Sequence, residues 1–550
     1  MKNSYHIKKF STGILASYLI LLLFPILLFS QETKERTFNV LNYEINLDLY
    51  NCFIKPYPRS YSANELITFR AEKNIEEIRL NAENTSLIID SVSRSGKSFT
   101  HSGNILTINL DRTYDSSEVS EVRIYFRHKD IIDSSFIVRD GIAYTDCEPI
   151  GARKWFPCND VPSDKALTEI NANVPAGVVF AATGYLADSA VSNDTLKYKW
   201  ISTKPVATYL IAFAGKRNYN LDVTEWVRQS DNEKIQLRYY WQRGETVYNL
   251  NNVKKKVPEM LDLFSKLYCE YPFEKLAFAT TNRDFQWGGM ENQTLITLCP
   301  DCWIEDLACH EIAHHWFGDL ITPYSWSDIW LNEGFATYNE ALWEEYNNGY
   351  TAYKKAIQKE VSNYMRFNPG REIYNPQWSS DVPVDSLLFN ESLIYSKASC
   401  IIHQLRYVLG DSVFFNSLNL YMNNPEFVYG NITTKSFVDF ISSVSNQDLT
   451  WYFEEWLTHP NHPVYQNNYK TERSGNGKWK LTYTVNQIQQ NTTFFRMPIE
   501  LKIVFADGSN EIIKANNTYN LQMFTFEFDK EPVRVSFDPN DQIVLKEVVR

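Results

Sequence analysis

The stretch Leu307-Ala308-Cys309-His310-Glu311-Ile312-Ala313-His314-His315-Trp316-Phe317-Gly318-Asp319, followed by Trp330-Leu331-Asn332-Glu333-Gly334-Phe335-Ala336, decides how the rest of the chain is read. It contains His-Glu-x-x-His, and on a helix two histidines four residues apart stand one above the other on a single face, where both imidazoles reach one metal ion. Eighteen residues lie between His314 and Glu333, enough to finish that helix, turn near Pro323 and Ser325, and bring a second helix back alongside. Glu333 then offers a third ligand and leaves a fourth tetrahedral position for water, the arrangement of a catalytic rather than a structural zinc. Two imidazole nitrogens and one carboxylate oxygen suit Zn²⁺, one ion per chain. His315 points about 100° further round the helix and is expected to pack or to support its neighbours. Glu340, seven residues after Glu333 on the same helix face, is placed to orient a ligand histidine.

Around this stretch the chain is long: 550 residues exceed what one hydrophobic core supports, so two to four domains are expected. Hydrophobic residues make up 44% and aromatic ones 15%, the composition of a globular protein. Against 66 acidic residues stand 54 basic ones, a net charge of −12 with no Lys/Arg cluster outside the extreme N-terminus, which argues against nucleic acid as a partner. That N-terminus places Lys2, Lys8 and Lys9 before an apolar run from Ile14 to Phe29, with polar Ser30-Gln31-Glu32-Thr33 after it. Residues 1–30 therefore read as a secretory signal peptide, and the mature chain as periplasmic or extracellular. Membrane association is expected only if that segment is retained as an anchor. Of eight cysteines, Cys299 and Cys302 form a lone C-x-x-C, which favours a local disulfide or free thiols over a metal or redox centre. Oligomeric state has no signature here.

From about Thr37 to Trp226 the pattern is β. Asn42 to Leu49, Ile105 to Leu110 and Val122 to Phe126 alternate apolar and polar residues between Ser, Gly, Asn or Asp clusters. The polar stretch Arg228 to Lys234 reads as a boundary, giving a β domain over 34–232. Ile235 to Trp241 fits one more strand. Helical spacing then dominates in 251–268, the metal stretch, 398–409, 411–422 and 434–444, which makes 233–462 a mostly helical domain. Pro460 and Pro463 close it. Alternation returns in 480–485 and 499–505, so 463–550 is a small C-terminal β domain. The fold class is multidomain α+β.

Several separated stretches also match one family. His310-Glu311-x-x-His314 with Glu333, Gly288-Gly289-Met290-Glu291-Asn292, Tyr395-Ser396-Lys397-Ala398, and Thr145-Asp146-Cys147-Glu148-Pro149 followed by Ala152 to Cys158 resemble, in order and spacing, the M1 zinc aminopeptidases. The resemblance runs from about residue 37 to the C-terminus. It implies an N-terminal β saddle, a thermolysin-like catalytic domain and a C-terminal β-sandwich, without the large helical domain that many relatives add afterwards. Ala398, Asp319, Gln293 and Thr294 depart from the family pattern, and the last two bear on substrate preference.

The implied reaction is removal of one N-terminal residue from a peptide with a free α-amine. Zinc activates water and polarises the scissile carbonyl, and Glu311 beside His310 serves as general base without being a ligand. By resemblance Tyr395 donates to the oxyanion. By resemblance too, Glu291 and Glu148 anchor the ammonium group with charge-assisted hydrogen bonds, and Gly288, Gly289, Met290 and Asn292 complete the substrate-binding stretch. Zn²⁺ with ionised Glu333, Glu311, Glu291 and Glu148 leaves about −2 at the site, which favours a cationic substrate terminus. Two alternatives share the fold: a zinc endopeptidase, and a non-catalytic peptide-binding protein.

Overall fold

The computed structural model describes residues 36–475 and 477–549. The signal segment at 1–30 lies outside the described residues. Among the described residues no helix is long and apolar enough to cross a membrane.

The N-terminal part is β throughout. Strand Phe38–Asp48 turns Tyr43, Ile45 and Leu47 into the core; a bulge between Val40 and Asn42 lets Val40 and Phe38 face inward as well. This strand pairs antiparallel with Tyr61–Ala71 and parallel with Lys165–Pro175 inside a seven-stranded sheet. A four-stranded sheet and a three-stranded sheet pack beside it. The loop leaving the four-stranded sheet after Ile142–Thr145 carries Glu148.

The central part combines a five-stranded sheet with helices on its flank. Helix α1 (Val247–Leu267) buries Val253, Val257, Met260, Leu261 and Phe264, the apolar stripe its sequence shows. Helix α2 (Glu305–His314) carries Glu305 and Asp306 in its first turn, where negative charge meets the positive end of the helix dipole. Gly318 ends this region at φ +140, where an added Cβ would come within 3.0 Å of Asn332 Nδ2. Helices α3 (Trp330–Asn348) and α4 (Tyr350–Phe367) follow. Gly334, next to Glu333, lets α3 approach the helix Ala398–Leu409 so closely that a Cβ there would lie 2.7 Å from the Ala398 methyl. The sheet ends at an edge strand, Gly289–Met290, paired antiparallel with Ile296–Leu298.

The C-terminal part is a sandwich of two three-stranded sheets, built around Trp479–Val485 and Met497–Phe505. Its strand Glu547–Val548 returns to pair with Val464–Tyr465. The architecture is therefore the expected one of β domain, mostly helical domain with a sheet, and β-sandwich.

The boundary drawn from composition differs in one respect. Arg228 to Lys234 is the turn of a hairpin joining Asn220–Val227 to Lys234–Trp241, with Arg228 N donating to Glu233 O. Strand Asn220–Val227 thus belongs to the central sheet rather than to the N-terminal part. An exposed tight turn and an interdomain linker call for the same polar residues, so composition alone does not separate them.

Candidate active site

Helix α2 sets His310 and His314 on one face, and the first turn of α3 brings Glu333 beside them. His314 Nε2 lies 3.1 Å from His310 Nε2, and Glu333 Oε2 lies 3.3 Å from His310 Nε2 and 3.4 Å from His314 Nε2. A tetrahedral zinc with nitrogen and oxygen ligands at about 2.0–2.1 Å requires donor separations of roughly 3.3–3.4 Å. The donors match that triangle.

The far sides of both rings explain why the Nε2 atoms face inward. His310 Nδ1 donates to Glu340 Oε1 at 2.9 Å, and His314 Nδ1 donates to the Phe317 carbonyl at 3.1 Å. A carbonyl only accepts, so the proton sits on Nδ1 and leaves a lone pair on Nε2. Glu333 Oε2 is buried with no hydrogen-bond partner among the described residues. Two lone pairs and a carboxylate oxygen turned toward one point without donors call for a cation there, and this chemistry fits zinc. Glu340→Ala is expected to weaken zinc binding about 10- to 100-fold, read by competition against a chelator; an unchanged affinity would remove Glu340 from the support of His310.

The electrostatics point the same way. Burial lowers the His314 imidazole, but Glu291 and Glu333 outweigh it and bring it up to about 9. For Glu333, burial pushes upward while His314 and His310 pull harder, holding the carboxyl near 2. A negative field that favours protons on two imidazoles favours a divalent cation in the same place.

A cavity of about 350 Å³ opens over these donors. Glu311 reaches it from α2, and burial pushes its carboxyl up to about 8, opposed by His310 and His314. Gly289 of the edge strand lies so near that a Cβ would fall 2.3 Å from Glu311 Oε1. Glu291 follows one residue after the edge strand, 3% exposed, with Oε1 4.0 Å from His314 Nδ1. Glu148 enters from the N-terminal part. Carboxylate oxygens of Glu148, Glu291 and Glu333 lie within 4.8 Å of one another, and Oε1 of both Glu148 and Glu291 is buried without a partner among the described residues. Burial raises both carboxyls, and for Glu148 the charge of Glu291 adds to it.

Tyr395 comes from a π-helical turn, Glu391–Lys397, and stacks on His310 with ring centroids 6.1 Å apart. Burial and the surrounding carboxylates hold its hydroxyl well above 10, so it keeps its proton and remains a donor. Gly288, Gly289, Met290 and Glu291 line the cavity, but Asn292 does not. It is fully buried, and its Oδ1 accepts from Thr297 Oγ1 at 2.9 Å within the turn after the edge strand. Gln293 and Thr294 are buried as well and do not line the cavity; Thr294 Oγ1 accepts from Gly184 N of the N-terminal part at 2.8 Å. His315 is fully buried against Tyr271, with Nδ1 2.8 Å from the tyrosine hydroxyl.

Three wall residues were not singled out from sequence: Trp287, Leu307 and Phe389. The rings of Trp287 and Phe389 meet edge to face at 6.2 Å. Trp287 adjoins the glycine pair and Leu307 stands three positions before His310, so adjacency offered a signal for both; Phe389 had none. Cys299 and Cys302 are joined by a disulfide in the loop between the edge-strand hairpin and α2.

The fold has counterparts among known proteins. The chain is 24% identical over 523 residues to aminopeptidase 2 of Candida albicans, which covers 88% of this chain and 54% of the relative, so it spans about half of that protein's length. Among solved structures, an M1 zinc metallopeptidase from Deinococcus radiodurans superposes with a TM-score of 0.66 at 22% identity, over 78% of this chain and 95% of the other. Aminopeptidase A of Legionella pneumophila gives a TM-score of 0.77 at 16% identity, over 95% of this chain and 61% of its own. These likenesses establish the fold. The profile of the Peptidase M1 N-terminal domain matches residues 41–210 and that of the Peptidase family M1 domain matches residues 248–456. Together the two profiles span most of the chain and take in Glu148, the edge strand, the metal donors and Tyr395, and the chain belongs to peptidase family M1.

Proposed function

We infer that this protein is a zinc aminopeptidase that removes the N-terminal residue from peptides with a free α-amine. The observation that carries this reading is the cluster of Glu148, Glu291 and Glu333 carboxylates, within 4.8 Å of one another, beside the metal donors. Buried carboxylates so close repel one another, and an ammonium group among them relieves that repulsion while accepting charge-assisted hydrogen bonds. An acetylated terminus offers no such cation. An extended peptide held this way pairs its backbone with the edge strand, whose free side no other strand occupies among the described residues.

His310, His314 and Glu333 would hold one zinc ion per chain, which supplies Lewis acidity toward the scissile carbonyl and acidifies water. Glu311 takes the proton of the attacking water on its carboxylate and delivers it to the departing amine. Tyr395 donates its hydroxyl proton in a hydrogen bond to the oxyanion that develops on the former carbonyl oxygen. Gly289 permits this by leaving room for the Glu311 carboxylate. Gly289→Ala is expected to displace that group and lower kcat about 10²-fold at unchanged zinc content; wild-type turnover would show that the approach is unimportant.

The deciding experiment compares a fluorogenic aminoacyl amide and a short peptide, each free and N-acetylated, with and without a zinc chelator. Only the free forms should be cleaved, the chelator should abolish cleavage, and added zinc should restore it. Equal cleavage of the acetylated peptide would favour an endopeptidase. Export of the mature chain is part of the same reading, supported by the basic, apolar and polar succession over residues 2–33 and by the Cys299–Cys302 disulfide.

A further inference from the structure

An oxyanion donor is effective only when its hydrogen stands at about 2.7–3.1 Å heavy-atom distance from the point where charge develops. Tyr395 reaches the cavity, yet among the described residues its side chain makes no hydrogen bond, and its ring rests on His310 with centroids 6.1 Å apart. The aim of the hydroxyl therefore depends on where the backbone at 395 is held. A π-helical turn lacks the ordinary α-helical ladder, so contacts from outside decide its position.

Those contacts come from α4. Successive side chains on a helix point in well separated directions, and while Tyr395 faces the cavity, its neighbour Ser396 is 1% exposed and faces α4. A serine inside a helix ordinarily returns its hydroxyl to a carbonyl of its own preceding turn. Ser396 does not. Its Oγ donates to Glu360 Oε2 at 2.6 Å and accepts from Asn363 Nδ2 at 2.8 Å. The bond to the carboxylate is of the short, charge-assisted kind, and the Glu360 side chain is 14% exposed, so water competes little for it. Asn363 Nδ2 also approaches Glu391 Oε1 at 3.4 Å, and Ser392 Oγ donates to the Phe367 carbonyl at 3.1 Å.

Glu360, Asn363 and Phe367 stand at i, i+3 and i+7, which is one face of α4. This polar stripe runs beside the apolar residues Tyr353, Ile357, Val361 and Tyr364 that α4 buries. Apolar packing has no preferred direction and would let the turn slide, whereas hydrogen bonds demand distance and angle and so set its register. Ser396 is the member of the turn that takes two of them, and it is joined by a single peptide bond to Tyr395, with their Cα atoms about 3.8 Å apart.

We propose that Ser396, held by Glu360 and Asn363 of α4, is a positioning residue that aims the Tyr395 hydroxyl at the oxyanion. This rests on the aminopeptidase reading above, in which Tyr395 is that donor.

The test is a double-mutant cycle of Ser396→Ala and Tyr395→Phe. In the wild-type background Ser396→Ala should lower kcat about tenfold or more, with KM and zinc content within about twofold of wild type, because the oxyanion forms only beyond the ground state. In the Tyr395→Phe background the same change should alter kcat by less than about twofold, since no hydroxyl is left to aim. A merely structural role would lower kcat by the same factor in both backgrounds; that result, or an unchanged kcat in the wild-type background, overturns the proposal. Glu360→Ala should reproduce the loss, and Glu360→Gln, which keeps an oxygen acceptor for Ser396, should restore kcat to within about threefold of wild type. These two variants carry the test if Ser396→Ala does not fold. Fluorine NMR of the zinc-loaded protein with 3-fluorotyrosine in place of Tyr395 reads the ring without turnover. Its resonance should shift or broaden in Ser396→Ala, and an identical resonance overturns the proposal. Should wild-type enzyme cleave no peptide, the aminopeptidase reading fails, while the fluorine resonance still decides whether Ser396 sets the Tyr395 ring.

Discussion

Glu311→Gln is expected to retain a full zinc complement and to lose about 10²- to 10⁴-fold in kcat. Glutamine keeps the shape of the side chain, so the contact with Gly289 and the packing on α2 survive. What disappears is a basic carboxylate beside the reacting carbonyl. The three metal donors are His310, His314 and Glu333, whose mutual distances of 3.1 to 3.4 Å do not involve Glu311. Metal analysis beside single-turnover kinetics separates the two effects. Near-normal turnover would remove Glu311 as the base, whereas lost zinc would show that it helps to hold the metal.

The second large effect is expected at Glu291. Truncating one partner of a buried, hydrogen-bonded charge pair costs enough to reduce kcat/KM about 10²-fold or more, and Glu291 is 3% exposed with an oxygen that meets no donor among the described residues. Glu291→Ala should therefore collapse efficiency on unblocked peptides and narrow the gap between free and acetylated ones. The remaining carboxylates, Glu148 and Glu333, would still draw the ammonium group into the cavity but would hold it less firmly. An unchanged kcat/KM would place the amine elsewhere.

The parts of this site that could be read in advance share one property: they lie on regular elements. His310, His314, Glu333 and Glu340 are related by helical spacing, so their convergence follows from 3.6 residues per turn once two helices are placed side by side. Strands such as Phe38–Asp48 were visible for the same reason, through alternation. Glu148 in a loop, Glu291 beyond a two-residue edge strand and Tyr395 in a π-helical turn have no such period. Their roles could be suggested only by likeness to a family, because the distances that unite them cross the N-terminal and central parts. Asn292 shows the limit of likeness: it belongs to the same short motif, yet its side chain braces a turn beneath the cavity. The Arg228 to Lys234 turn shows the limit of composition.

The π-helical turn before Ala398 has a further consequence for how the chain tolerates change. Such a turn is an α-helix carrying one surplus residue. Deleting any single position from Glu391 to Ile394 would restore ordinary winding and leave the helix Ala398–Leu409 seated against α3. The residues before the deletion would be drawn round by about 100° relative to that helix, and the change from π to α winding would also turn the aromatic side chain at 395 away from its place against His310. Length in this segment is thus held under tighter constraint than chemistry, and natural variants should differ here by substitution rather than by gaps.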